Sequence, residues 1–253
     1  MRRSIFVLAA TLASGVAFAQ APQGQYFVVH QEQAKPSMLK EYEGTQKEFV
    51  ALVKANKAKM PHLSFDCFLS NDFMYTYVAP IANLGAMDTI NAEFGALAQA
   101  AGPAYAELMK RGGAATDHIR ESVMQHAPEL SYQPAQPRLQ PSEVKYRHYD
   151  LYYVLPGREP EADALGADYV KLFKAKGVTT GYNVYKAVLG PDLPLILVSV
   201  AAKDPADYYT EDAKTEALLG AEGKALQARA GALSRRIEHR DAWQRPDLSV
   251  PAQ

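Results

Sequence analysis

With 253 residues, 48% of them apolar, the chain is long enough to build one large core or two smaller ones. Lys and Arg number 27 against 28 Asp and Glu, for a net charge of -1, and no basic cluster forms, which excludes the positive stripe that nucleic acid binding requires. Cys67 is the single cysteine, so no internal disulfide is available and stability must come from packing.

The first twenty residues read as an export signal. Arg2 and Arg3 supply the charged start, residues 5–16 the apolar run, and Ala17-Phe18-Ala19 the small-x-small cleavage site. Cleavage near Ala19 predicts a periplasmic or secreted protein. The arginine pair faintly resembles the twin-arginine motif but lacks the polar residue before it, so general secretion is the expected route. The apolar run is shorter than the roughly 20 residues that span a bilayer, and no cysteine follows it to take a lipid. No stable membrane insertion is expected.

A strand over residues 26–30 comes next, rich in aromatic and β-branched side chains. Met38, Tyr42, Phe49, Val53 and Met60 then recur at helical spacing, with Pro36 before them and Pro61 after. Residues 63–69 and 73–78 read as a hairpin turning at Ser70-Asn71-Asp72. Cys67 in the first of these strands is expected to be a buried small hydrophobe. Met87, Ile90, Phe94 and Leu97 restore the helical period until Gly102-Pro103 interrupts it, and a strand around Ile119 ends the half.

Pro134, Pro137 and Pro141 fall in a polar stretch, residues 131–143, that predicts an extended linker. The same order of elements follows it. Residues 146–155 form a strand, Leu165, Tyr169, Leu172 and Phe173 a helix stopped by Gly177, and residues 178–200 a hairpin turning at Gly190-Pro191-Asp192. Asp204-Pro205 starts a last helical region, with Asp as N-cap, and a final strand surrounds Ile237. Both halves end alike, in Pro128-Glu129-Leu130-Ser131 and Pro246-Asp247-Leu248-Ser249. The expected organisation is a signal peptide over 1–19, a unit over 24–130, a linker over 131–143 and a second unit over 144–249.

Strand, helix, strand, strand, helix, strand in each half predicts an α+β fold of two tandem ferredoxin-like (split β-α-β) units. Their antiparallel sheets are expected to pack through their uncovered faces as a pseudo-dimer. Such a chain resembles the dimeric α/β barrel superfamily, which includes antibiotic-biosynthesis monooxygenases, muconolactone isomerases and the haem-binding chlorite dismutases and dye-decolourising peroxidases. The resemblance implies a cleft and a possible homo-oligomer. It rests on element order, and fold alone does not select a function.

Alternation along the strand from Tyr146 puts His148, Asp150 and Tyr152 on one face. If the apolar set packs on the helices, these three face the space between sheets, where a His beside a carboxylate moves protons. They are the catalytic candidates. His30, Tyr75, Tyr77 and His239 are the ligand-binding candidates on neighbouring strands. No metal site is predicted, since neither a His-Glu-x-x-His motif nor a Cys pair is present. No cofactor is predicted either, although a lone axial histidine leaves haem open. Serine-hydrolase and phosphate-loop motifs are missing. The leading expectation is a protein binding a small, partly apolar ligand, with a cofactor-independent monooxygenase or isomerase as the alternative and a haem protein after that.

Overall fold

Local chemistry sets where the elements start and stop in the computed structural model, which describes residues 25–252. The expected export signal, residues 1–19, falls outside those residues. The strands are β1 (Tyr26–Ala34), β2 (Asp66–Ser70), β3 (Met74–Ile81), β4 (Thr116–His126), β5 (Tyr146–Val154), β6 (Tyr182–Leu189), β7 (Leu195–Ala202) and β8 (Ser234–Gln244). Five helices accompany them: α1 (Leu39–Ala55), α2 (Ala86–Ala101), α3 (Pro103–Ala115), α4 (Glu159–Lys176) and α5 (Pro205–Leu233).

Helix α4 ends as its sequence predicts, because Gly177 adopts the left-handed conformation (φ 64°, ψ 36°) and its amide caps the carbonyls of Phe173 and Lys174. Helix α5 begins on Asp204, whose side chain accepts the Asp207 amide at 2.9 Å, a cap typically contributing about 0.5–2 kcal/mol. Gly102 (φ 57°, ψ -134°) separates α2 from α3, and Gly220 takes nearly the same angles (φ 55°, ψ -135°) to kink α5. A side chain is disfavoured at both values.

The expectation of two ferredoxin-like units with face-packed sheets is overturned by the hydrogen bonding. The strands run in the order β1-β3-β2-β8-β5-β7-β6-β4 and close into one antiparallel eight-stranded barrel. β2 pairs with β8 through Phe68–Gln244, Leu69–Trp243 and Ser70–Ala242, while β4 pairs with β6 from Val123–Leu189 to His126–Tyr185. Four strands in each half would leave two raw edges apiece, and joining edge to edge removes all of them. Patterning within a strand cannot distinguish stacking from closure, since both leave one face to the helices and one to the interior.

Alternation divides the barrel into an inner and an outer face. Inside, Phe27 meets Tyr185 edge to face at 5.6 Å, Phe68 meets Tyr149, and Arg147 lies over the Phe68 ring and bonds Ser199. Outside, α1, α2 and α3 cover one part and α4 and α5 the other, each over its own apolar cluster. The linker is tied down at several points. Tyr132 bridges Tyr182 and donates to the Val178 carbonyl, and Arg138 makes a bidentate pair with Asp207 at 2.6 and 3.0 Å. Among the described residues no helix is long and apolar enough to cross a membrane.

Candidate functional site beneath helices α4 and α5

His148, Asp150 and Tyr152 do share a face, but it is the outer one. Tyr152 packs with Tyr169 of α4 and with Leu226 and Ala230 of α5, and the His148 ring stacks on Tyr208 of α5 at 4.2 Å and 15°. The expected placement between sheets is therefore corrected. Tyr149 and Leu151, the alternate residues, are the ones on the barrel's inner side, and His148 and Asp150 tolerate burial because they are hydrogen-bonded there.

The β5–β8 register supplies the partners, placing Asp150 opposite His239 and His148 opposite Asp241. His148 Nδ1 lies 2.8 Å from Asp241 Oδ1, and its Nε2 lies 3.2 Å from Asp150 Oδ1. The same Asp150 oxygen is 2.6 Å from His239 Nδ1. Tyr146 donates to Asp241, and Tyr209 reaches it at 3.5 Å. His148 is buried, Asp150 half-buried and His239 exposed at 63% of its side chain, so the cluster runs from the core to the surface.

Opposing effects set the charges. Burial lowers the His148 pKa, but hydrogen bonds and attraction from Asp150 and Asp241 outweigh it and raise the value. For Asp150 burial works upward, and His148 and His239 together bring it below the usual carboxylate range. Asp212, facing the cluster from α5, goes the other way: burial first, then repulsion from Glu216 and Asp150, pushes it up.

Beside this cluster lies a cavity of about 310 Å³ between the outer face of the sheet and α4 and α5. Its wall is mainly aliphatic and aromatic, with Tyr152, Leu165, Tyr169, Phe173 and Val198 among the lining residues, and Asp150, Asp212 and Lys224 give it polar points. Burial raises the phenols around it, Tyr169 to about 12. They are neutral hydrogen-bonding groups at physiological pH.

The remaining candidates assemble elsewhere. His30 bonds Glu32 at 3.0 Å and Glu121 at 2.8 Å, and Tyr42 donates to Glu32 at 2.6 Å while its hydroxyl meets that of Tyr77 at 3.0 Å. Tyr75 donates to Glu43 at 2.7 Å and packs on Tyr42. This second network sits under α1, so His30, Tyr75 and Tyr77 are not brought to the cavity, whereas His239 joins His148 and Asp150.

Asp241, Tyr208 and Asp212 complete the site and were not singled out as site residues in the sequence. Asp241 alternates with His239, which was a usable signal. Tyr208 and Asp212 carry none, because only the docking of α5 turns them toward β5.

The fold is similar to that of several solved structures. These include an anthrone oxidase-like protein (14% identity, TM-score 0.61, covering 89% of this chain and 93% of that one). A putative monooxygenase from Lactobacillus acidophilus NCFM matches at 8% identity and TM-score 0.53, over 91% and 97% of the two chains. Chlorite dismutase from Candidatus Nitrospira defluvii in complex with imidazole matches at 12% and 0.53, over 89% and 93%. At these identities the likeness shows the fold alone. The sequence matches no family model, and no curated protein matches it.

A haem in this cavity would need an axial donor. The lining contains no histidine, cysteine or methionine, and its tyrosines are held neutral by burial. The residues present do not fit an axially ligated haem.

Proposed function

We propose that the chain is an exported protein, periplasmic or secreted, that binds a small, flat, largely apolar ligand in the cavity beneath α4 and α5. The observation that carries this is the cavity itself. Its volume of about 310 Å³ lies at the lower end of the range of small-molecule sites, roughly 300–1,000 Å³. Aromatic walls favour a planar ring system, and the acidic end formed by Asp150 and Asp212 favours a hydroxyl or amine that donates toward it. The mature protein, screened by thermal shift and native mass spectrometry against polycyclic phenols and aromatic amines, should retain one such class at one molecule per chain. Val198→Phe places a ring in the cavity and should abolish the ligand-induced shift while leaving the circular dichroism spectrum unchanged. A shift that survives this substitution would rule the cavity out.

A second reading has one specific observation in its favour. Asp150 both lines the cavity and bonds two histidines, so a proton taken from a bound substrate has a path to the surface through His239. A cofactor-independent monooxygenase or isomerase acting on an acidic C–H of an anthrone-like substrate would use it so. His148→Ala would then lower turnover by roughly 10²–10⁴-fold, the usual contribution of a positioned acid or base. Unchanged turnover would remove His148 from the reaction.

A further inference from the structure

Three donor atoms converge on one point beside the cavity. His148 Nε2, Asp150 Oδ1 and His239 Nδ1 all lie within 4.8 Å of one another, with Asp150 Oδ1 at 3.2 and 2.6 Å from the two nitrogens. Ligand atoms around a tetrahedral ion with bonds of about 2.0–2.1 Å stand about 3.3 Å apart, so the three need only small side-chain adjustments to share an ion. They come from two paired strands of a closed barrel, β5 and β8, whose register holds them in place.

The surroundings suit a cation. Asp241 Oδ1 sits 2.8 Å from His148 Nδ1, the carboxylate–histidine arrangement that fixes a ligating imidazole with its other nitrogen aimed at the metal. When Nδ1 of a neutral His148 donates to Asp241, Nε2 carries a lone pair directed at the Asp150 carboxylate. Two acceptors in contact repel each other unless a cation lies between them. A proton is one such cation, and a metal ion is the other. Tyr208 stacked on His148 keeps the ring from rotating away. Asp150 lines the cavity and His239 reaches solvent, so positions not taken by protein open in both directions.

We infer that His148, Asp150 and His239 form a binding site for a first-row divalent transition ion, of the class that takes two imidazoles and one carboxylate. Mixed nitrogen and oxygen donors select Zn²⁺, Fe²⁺, Co²⁺ or Cu²⁺ over Mg²⁺ and Ca²⁺, which prefer all-oxygen shells. The site holds its ion whether or not the cavity is filled, so it does not depend on the ligand proposed above.

Tag-free mature protein, stripped with chelator and titrated with Zn²⁺ by calorimetry and with Co²⁺ by visible absorption, tests the assignment. One ion per chain should bind saturably, raise the melting temperature, and give Co²⁺ bands of low coordination number; Mg²⁺ should do neither. His239→Gln, at an exposed position that the fold tolerates, should remove the site. Asp241→Asn should weaken it by about 10–100-fold, the usual effect of losing the partner of a ligating histidine. His62→Gln, far from the cluster, should bind like the parent, and Val198→Phe should keep the metal while losing the cavity ligand. Absence of saturable Zn²⁺ and Co²⁺ binding would overturn the inference, as would stoichiometric binding that persists in His239→Gln.

Discussion

At the scale of single residues, burial decides what a reactive group is able to do. Cys67 is fully buried in the core beside Tyr42, Tyr75 and Leu248, and burial pushes its thiol up to about 12. A thiol that is neither ionised nor reachable should not react with an aromatic disulfide reagent in the native protein, and one equivalent should appear only on unfolding. Rapid labelling of the native chain would mean that the cluster under α1 opens readily. His148 is also buried, though less completely, and lies between two carboxylates, so the low exposure that silences Cys67 here strengthens its bonds to Asp150 and Asp241.

The pairing of chemistry-bearing residues on β5 was legible because alternation needs only local sequence. Which way that face turns was not. Polarity suggested the interior for His148 and Asp150, yet their partners Asp241 and His239 lie about ninety residues away on β8, and only that register makes a buried polar face acceptable.

Among the elements, the two seams that close the barrel are where the fold is least tolerant of added bulk. Gly190 follows β6 and lies against β4 with φ at 136°, and a Cβ there would stand 2.7 Å from the Ser122 Cβ and 3.2 Å from its Cα. Gly190→Ala should therefore destabilise the protein by about 1–3 kcal/mol, through both the backbone conformation and the contact. Denaturant melts would measure it, and an unchanged midpoint would show that the seam is free to give. The sequence marked Gly190-Pro191-Asp192 as a turn, which it is, but nothing local indicated that the turn also lies against β4.

Helix identities were readable where caps and periodicity agreed, as in α4 with Gly177 beyond its end. The break within α5 at Gly220 was missed because the apolar spacing from Leu218 to Leu233 continues through it. Its left-handed φ is open to glycine, and the kink lets α5 follow the curved outer face of the barrel while Leu219 and Leu233 both remain buried.

For the molecule as a whole, the order of strands and helices was visible in the sequence and the closure was not. Counting elements finds eight strands; it does not reveal that β2 will bond β8. The closing region carries a charge cluster that should govern behaviour in acid. Arg245 bonds Glu43 of α1 at 2.5 Å and Asp247 at 2.9 Å through each of two nitrogens. The Arg245 guanidinium holds the Asp247 carboxyl at about 2, below its ordinary 3.8. A carboxyl depressed in the folded state stabilises above its unfolded pKa, and that contribution is lost as pH falls from about 3.8 through about 2. Melting temperature should drop across that window, and less steeply in Asp247→Asn. The effect is modest, because Asp247 is half exposed to solvent. Parallel curves for the two proteins would exclude the pair.

The seat of β8 between β2 and β5 also imposes an order in time. Among the described strands β8 comes last in the chain, yet both of its neighbours end long before it, β2 by residue 70 and β5 by residue 154. Until residues 234–244 are in place, one edge of β2 and one edge of β5 lack their neighbour. Nothing before residue 234 satisfies them from within, so these two edges stay available to other chains until β8 docks.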